Sequence, residues 1–85
     1  MGRPESVGPL AHRMLCTLAS GGWLEGTALP SSRRLATEFG VSCHTAMAAV
    51  RRLAKSGLLE VRQRHPVQIP VGAQQRARDL LAAPG

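Results

Sequence analysis

The stretch LPSSRRLATEFGVSCHTAMAAVRRLAKSGLL, from Leu29 to Leu59, limits what this chain can become more than any other part of it. Leu35, Phe39, Val41, Ala46 and Ala49 recur at helical spacing on either side of Gly40. Ala36 offers a small side chain, which two closely crossing helices need. Gly40 stands where a first helix must stop, because without a Cβ the chain turns there through positive φ. Ser42 then stands as the N-cap of a second helix. In that second helix Ala46, Ala49, Val50 and Leu53 fall at i, i+3, i+4 and i+7, one buried stripe. The opposite stripe carries His44, Met47, Ala48, Arg51 and Lys55. Gly57 ends the helix just after Arg51, Arg52 and Lys55.

Two helices joined by a tight turn, the second with a small, polar and basic outer face, form the pattern of a helix-turn-helix. Such a second helix enters a DNA major groove. An ordinary helical hairpin with solvated charges shares the periodicity. The agreement in register of Ala36, Gly40 and the apolar positions, set in a strongly basic chain, favours DNA. Basic residues number 11 against 5 acidic, a formal net charge of +6, which calls for a polyanionic partner, nucleic acid ahead of a membrane surface. Lys55 is the single lysine, and arginine suits bidentate contacts to phosphate and guanine. With 85 residues and 44% hydrophobic content, the chain is one small domain with one core and too apolar to be disordered. Aromatics are 2%, Trp23 and Phe39, which tells against a stacking platform for single strands.

The flanks extend the pattern. Residues 1–8 read as a loose arm in which Arg3 is a candidate for a phosphate or minor-groove contact, although a frayed terminus is the simpler account. Residues 9–20 read as a first helix, with Leu10, Met14 and Leu18 on its apolar face, Leu15 beside them and Pro9 in its first turn. Gly21 and Gly22 stop it, and Trp23 with Leu24 makes an apolar step expected to pack over the core. Thr27 to Leu29 reads as a short strand, and Ser31 or Ser32 caps the next helix. After Gly57 the period changes. Residues 58–62 and 67–71 read as two strands joined by a turn at 63–66, with Pro70 confining the second to an edge. A helix-turn-helix followed by a basic-tipped hairpin is a winged helix, and Arg62, Arg64 and His65 at the tip are placed for a phosphate or the minor groove. The tail from Ala73 reads as a short helix with Ala73, Ala77, Leu80 and Leu81 on one side, free to pack back on the domain or to pair with a second copy. The expected class is therefore mainly α with a small β-wing: three helices, a two-stranded hairpin and a short C-terminal helix. The domain spans 9–71, with 72–85 as tail.

At this point the residues resemble the DNA-binding domain of the GntR family of bacterial transcription regulators. The resemblance covers about residues 10–71. It is carried by Leu29-Pro30-Ser31 with Arg33, Leu35-Ala36, Val41-Ser42 with Thr45, Ala49-Val50, Leu53, Gly57-Leu58-Leu59, and the upstream Gly22 and Gly26. It implies a winged helix-turn-helix that binds double-stranded DNA as a homodimer on a palindromic operator. Arg33, Ser42, His44, Thr45 and the wing are then the contact residues. Arg33 lies in the first turn of its helix, beside backbone donors that favour phosphate. Three positions depart from the family pattern: Cys43 and Met47 stand where arginine is usual, and Arg64 where glycine is common. Basic charge has appeared instead at Arg34, Arg51 and Arg64. The expected contact set is Arg33, Arg34, Ser42, Cys43, His44, Thr45, Met47, Arg51, Arg62, Arg64 and His65, with a preference for DNA sequence unlike that of typical relatives. Too few residues follow Val71 for a ligand pocket of ordinary size, so no small-molecule effector is expected.

Other chemistry finds little support. His12, Cys16, Cys43 and His44 are zinc-ligand types, but neighbours on a helix point about 100° apart, which makes shared ligation by Cys43 and His44 awkward. Cys16 is expected to be a buried small hydrophobe. Cys43, in a helix's first turn beside basic groups, has the setting of a reactive thiol, but a small groove-facing residue is the simpler account. No nucleophile triad, phosphate-cradling loop or paired carboxylates are visible, and Glu38 and Glu60 read as surface charges, so no enzyme, metal or cofactor is expected. The two cysteines make no disulfide framework, and no stretch reaches the ~18 apolar residues of a membrane span or forms a signal peptide. A cytoplasmic setting follows as the default. The leading expectation is a small repressor. An architectural or excision accessory factor of a mobile element, and a winged helix used to bind protein, are the alternatives.

Overall fold

Burial sorts the helices before anything else does. In the computed structural model, which describes residues 7–83, the order is α1 (Val7–Ala19), α2 (Ser32–Phe39), α3 (Cys43–Lys55) and α4 (Ala73–Ala82). The expected arm lies outside the described residues except for Val7 and Gly8, which already belong to α1. Leu10, Met14 and Leu18 of α1, Leu35 of α2, and Ala46, Ala49 and Val50 of α3 are at most 1% exposed, and Leu58 and Ile69 join them. No polar or charged side chain is buried among the described residues. The helix α1 packs on both α3 and α4, and α2 packs on α3. No described helix is long and apolar enough to cross a membrane.

The turn between α2 and α3 is built from local chemistry. Ser31 is the N-cap of α2, its hydroxyl accepting from the Arg34 N–H at 3.2 Å. Gly40 ends that helix at φ 68, and the Val41 N–H closes back on the Ala36 carbonyl at 3.0 Å. Ser42 caps α3 by accepting from the Thr45 N–H at 3.1 Å. The far end of α3 closes in the same manner. The Leu58 N–H reaches the Leu53 carbonyl at 3.1 Å and the Gly57 N–H reaches Ala54 at 3.0 Å, with Gly57 at φ 79. A Cβ on Gly57 would stand 3.2 Å from the mobile end of the Arg76 side chain, so the positive φ is what restricts this position.

The wing departs from expectation. Residues 58–62 and 67–71 do not form a regular two-stranded ladder; they meet at one doubly bonded pair, Glu60 and Gln68, with both N–H···O distances at 2.9 Å. The segment 67–69 turns its other edge to 26–29. There Leu29 donates to Val67 at 2.7 Å, Ile69 donates to Thr27 at 2.9 Å, and Ala28 stands opposite Gln68 between them. Pro66 and Pro70 flank this segment and have no N–H to extend either ladder. Val71, expected in the second strand, is 86% exposed.

Two smaller expectations fail. Cys16 is exposed rather than buried, because it sits across the helix from Leu10, Met14 and Leu18. Leu24 is 69% exposed; only Trp23 of the expected apolar step packs, edge-on to Phe39 with ring centroids 6.3 Å apart. The Arg13 guanidinium lies over the Phe39 ring, 5.1 Å from its centroid, so Phe39 and Trp23 tie α1, α2 and the intervening loop together.

The tail helix folds back. Ala73 and Ala77 are buried, while Leu80 and Leu81 remain 45% and 37% exposed. Gly72 offers α4 no side-chain cap, and the Glu25 carboxylate supplies one from a distance, accepting from the Gln74 N–H at 2.8 Å. The Ala19 carbonyl, at the end of α1, accepts from Gln74 Nε2 at 3.2 Å and from Arg78 Nε at 3.0 Å. Glu25→Ala removes the acceptor for the Gln74 N–H. The expected loss is about 1 kcal/mol of unfolding free energy, comparable to a lost N-cap. Urea denaturation measures it, and amide exchange should quicken along α4 before α2 or α3.

Candidate nucleic-acid interface

Helix α3 has one side for the core and one for solvent. Ala46, Ala49, Val50 and Leu53 are its buried residues, and His44, Arg51, Arg52 and Lys55 are exposed, with Met47 and Ala48 half-buried between. Cys43 is exposed in the first turn. Ser42 and Thr45 are joined by two bonds, since the Ser42 hydroxyl accepts from the Thr45 N–H and donates to Thr45 Oγ1 at 3.0 Å. That pair holds the helix start rigid and leaves the Thr45 hydroxyl proton pointing elsewhere.

The start of α2, a flank of α3 and the wing meet along one groove of about 510 Å³. Its walls include Ser31 and Ser32 from the start of α2, Met47 and Val50 from α3, and His65 and Pro66 from the wing. The pairing of 67–69 with 26–29 makes this meeting, because it draws the wing against the residues just ahead of α2. Arg33 and Arg34 follow Ser32 directly and are exposed, and Arg64 precedes His65 and is exposed. Of the expected contact residues, Met47 and His65 line this groove; Arg62 lines a neighbouring one with His65, and Arg33, Arg34, Ser42, Cys43, His44, Thr45, Arg51 and Arg64 line neither. Ser32 and Pro66, which line the first groove too, were not among those expected. Leu29-Pro30-Ser31 marks a helix start in the sequence, but nothing local says that this start faces the wing.

Two of the wing cations differ in setting. The Arg62 Nε lies 3.2 Å from a Glu60 carboxylate oxygen, both side chains well exposed. An exposed pair of this kind holds by about 0–1 kcal/mol, so a phosphate can compete for the guanidinium. Arg64 sits in the turn closed by the His65 N–H on the Arg62 carbonyl at 3.2 Å, with φ 64. Among the described residues it is the only non-glycine at positive φ. The strain explains why a glycine suits this turn, and an arginine here keeps charge at the tip against a backbone cost. No three His, Cys, Asp or Glu side chains come together among the described residues to hold a metal.

With this geometry in place the comparisons decide the family. Residues 10–69 match the family model described as bacterial regulatory proteins, gntR family. The chain belongs to the GntR family. A GntR family transcriptional regulator from Listeria monocytogenes has the same fold, with a TM-score of 0.78 over 89% of this chain and 68% of that one at 18% identity. Streptococcus agalactiae GntR aligns with a TM-score of 0.71 over 80% of this chain at 32% identity, and this chain spans 33% of its length. Comparison with curated proteins gives no match. The domain is thus the DNA-binding, winged-helix domain of a GntR-type transcription regulator.

Relaxing the wing tip separates its backbone strain from its charge. Arg64→Gly should stabilise the fold by about 0.5–1 kcal/mol, the left-handed penalty less the entropy that glycine loses on folding. Thermal unfolding reads that gain, and binding to duplex DNA should weaken in the same variant.

Proposed function

We propose that this domain binds double-stranded operator DNA sequence-specifically and acts as a repressor by covering promoter sequence. The observation that carries the proposal is the shared groove. Ser32 in the first turn of α2, Met47 on the flank of α3 and His65 at the wing tip line it together, while Ala46, Ala49 and Val50 fix α3 against the core. A helix sunk in a major groove with a basic tip beyond it would meet phosphates on both sides of the backbone ridge between them.

The roles divide by chemistry. Arg33 and Arg34 in the first turn of α2, Arg51 on α3, and Arg62, Arg64 and His65 on the wing are phosphate or minor-groove contacts. Ser42, Cys43, His44, Thr45 and Met47, at the start of α3, face base edges or the adjoining backbone. A homodimer on a palindrome belongs to the same reading. It is supported by Leu80 and Leu81, which α4 leaves exposed while Ala73 and Ala77 anchor the helix to α1.

Gel-shift titration over a salt series tests the reading. About four to six phosphate contacts per half-site give a log–log slope near −4 to −5. Arg33→Ala should weaken binding to all sequences and make that slope shallower by about 1. Salt-independent or sequence-blind binding would count against an operator and for a protein-binding winged helix. Sedimentation showing a monomer on palindromic DNA would remove the dimer.

A further inference from the structure

Helix α3 has little with which to read guanine. Its first two turns turn Cys43, His44, Met47 and Ala48 towards the open side, and the arginines begin only at Arg51. Paired hydrogen bonds from arginine or lysine pick out guanine, and those from asparagine or glutamine pick out adenine. None of these four side chains can make such a pair, yet the N-terminal turns of a recognition helix are the ones that reach base edges.

What these turns do offer is apolar and partly sheltered from solvent. Met47 is half-buried and forms a wall of the groove with Val50, Leu35 and Pro66. Ala48, half-buried beside it, presents a single methyl. Arg51, one helical turn beyond Met47, is exposed, as are Arg33 beside Ser32 and Arg64 beside His65 of the groove wall. An apolar wall with an exposed arginine one helical turn away suits an apolar group carried on a polyanion. The group of that kind that base pairs display in the major groove is the C5 methyl of thymine.

We infer that Met47, with Ala48, reads thymine by covering its C5 methyl, so that the preferred site holds a T·A pair beneath the second turn of α3. The inference rests on the DNA-binding function proposed above and names what that face selects.

Uridine scanning tests it. The bound site is first selected from a random duplex pool with the full chain, and each thymine is then replaced singly by deoxyuridine. The exchange deletes the methyl and leaves every hydrogen-bonding edge in place. At one or two positions per half-site affinity should fall about four-fold, the value of one buried carbon. That loss should vanish in Met47→Ala and persist in Met47→Leu, which keeps an apolar chain. Specific binding with no response to uridine at any thymine overturns the thymine readout alone. A uridine penalty as large in Met47→Ala as in the parent assigns the methyl to another residue and overturns it as well. Failure to retain any duplex overturns the DNA-binding reading, and this inference with it.

Discussion

Everything outward on this molecule depends on the inner stripe of α3 being locked. Ala46, Ala49 and Val50 have no exposed surface, and α1 and α2 both pack on this helix. Alanine at two of these positions lets neighbouring backbones come near, and close-packed neighbours leave a helix little freedom to roll. A roll of one residue would turn the wet stripe by about 100° and carry His44 and Arg51 off their common side. The burial of a few small side chains is thus what gives the exposed ones a direction.

The same economy governs the ends of the helices. Caps and turns here are made from adjacent residues: Ser31 on Arg34, Ser42 on Thr45, Gly40 and Gly57 each starting a short backbone closure. These devices orient α3 relative to α2 without buried charge. The wing is held differently, by one doubly bonded pair within itself and a few backbone bonds to the distant segment 26–29, and its tip carries an arginine whose backbone a glycine would suit better. Rigidity is concentrated in the helical pair, and the conformational cost is concentrated at the tip.

That division explains what was legible in the sequence. The pair α2 and α3 was readable residue by residue, because its signals are local: a cap three residues from its donor, a glycine at the turn, a period of 3.6. The family resemblance followed from the same residues. The wing was harder, because the partner of 67–69 is 26–29, some forty positions away, and no local pattern joins them. Period-two alternation promised a hairpin; prolines at 66 and 70 cut it to a single bonded pair. Leu24 stays outside because an apolar neighbour does not carry a residue inward, and only Trp23 has an aromatic partner. The groove that brings Met47 and His65 together with the start of α2 depends on these long-range bonds, so its side chains are legible locally and their meeting is not.

The attachment of α4 draws the boundary of the folding unit beyond the family motif, which ends at residue 69. A chain cut there would bare the Ala19 carbonyl, strip the Glu25 carboxylate of its donor and open the seat that Ala73 and Ala77 fill against α1. Transplanting the motif alone onto another protein would therefore move the reading head without its keel.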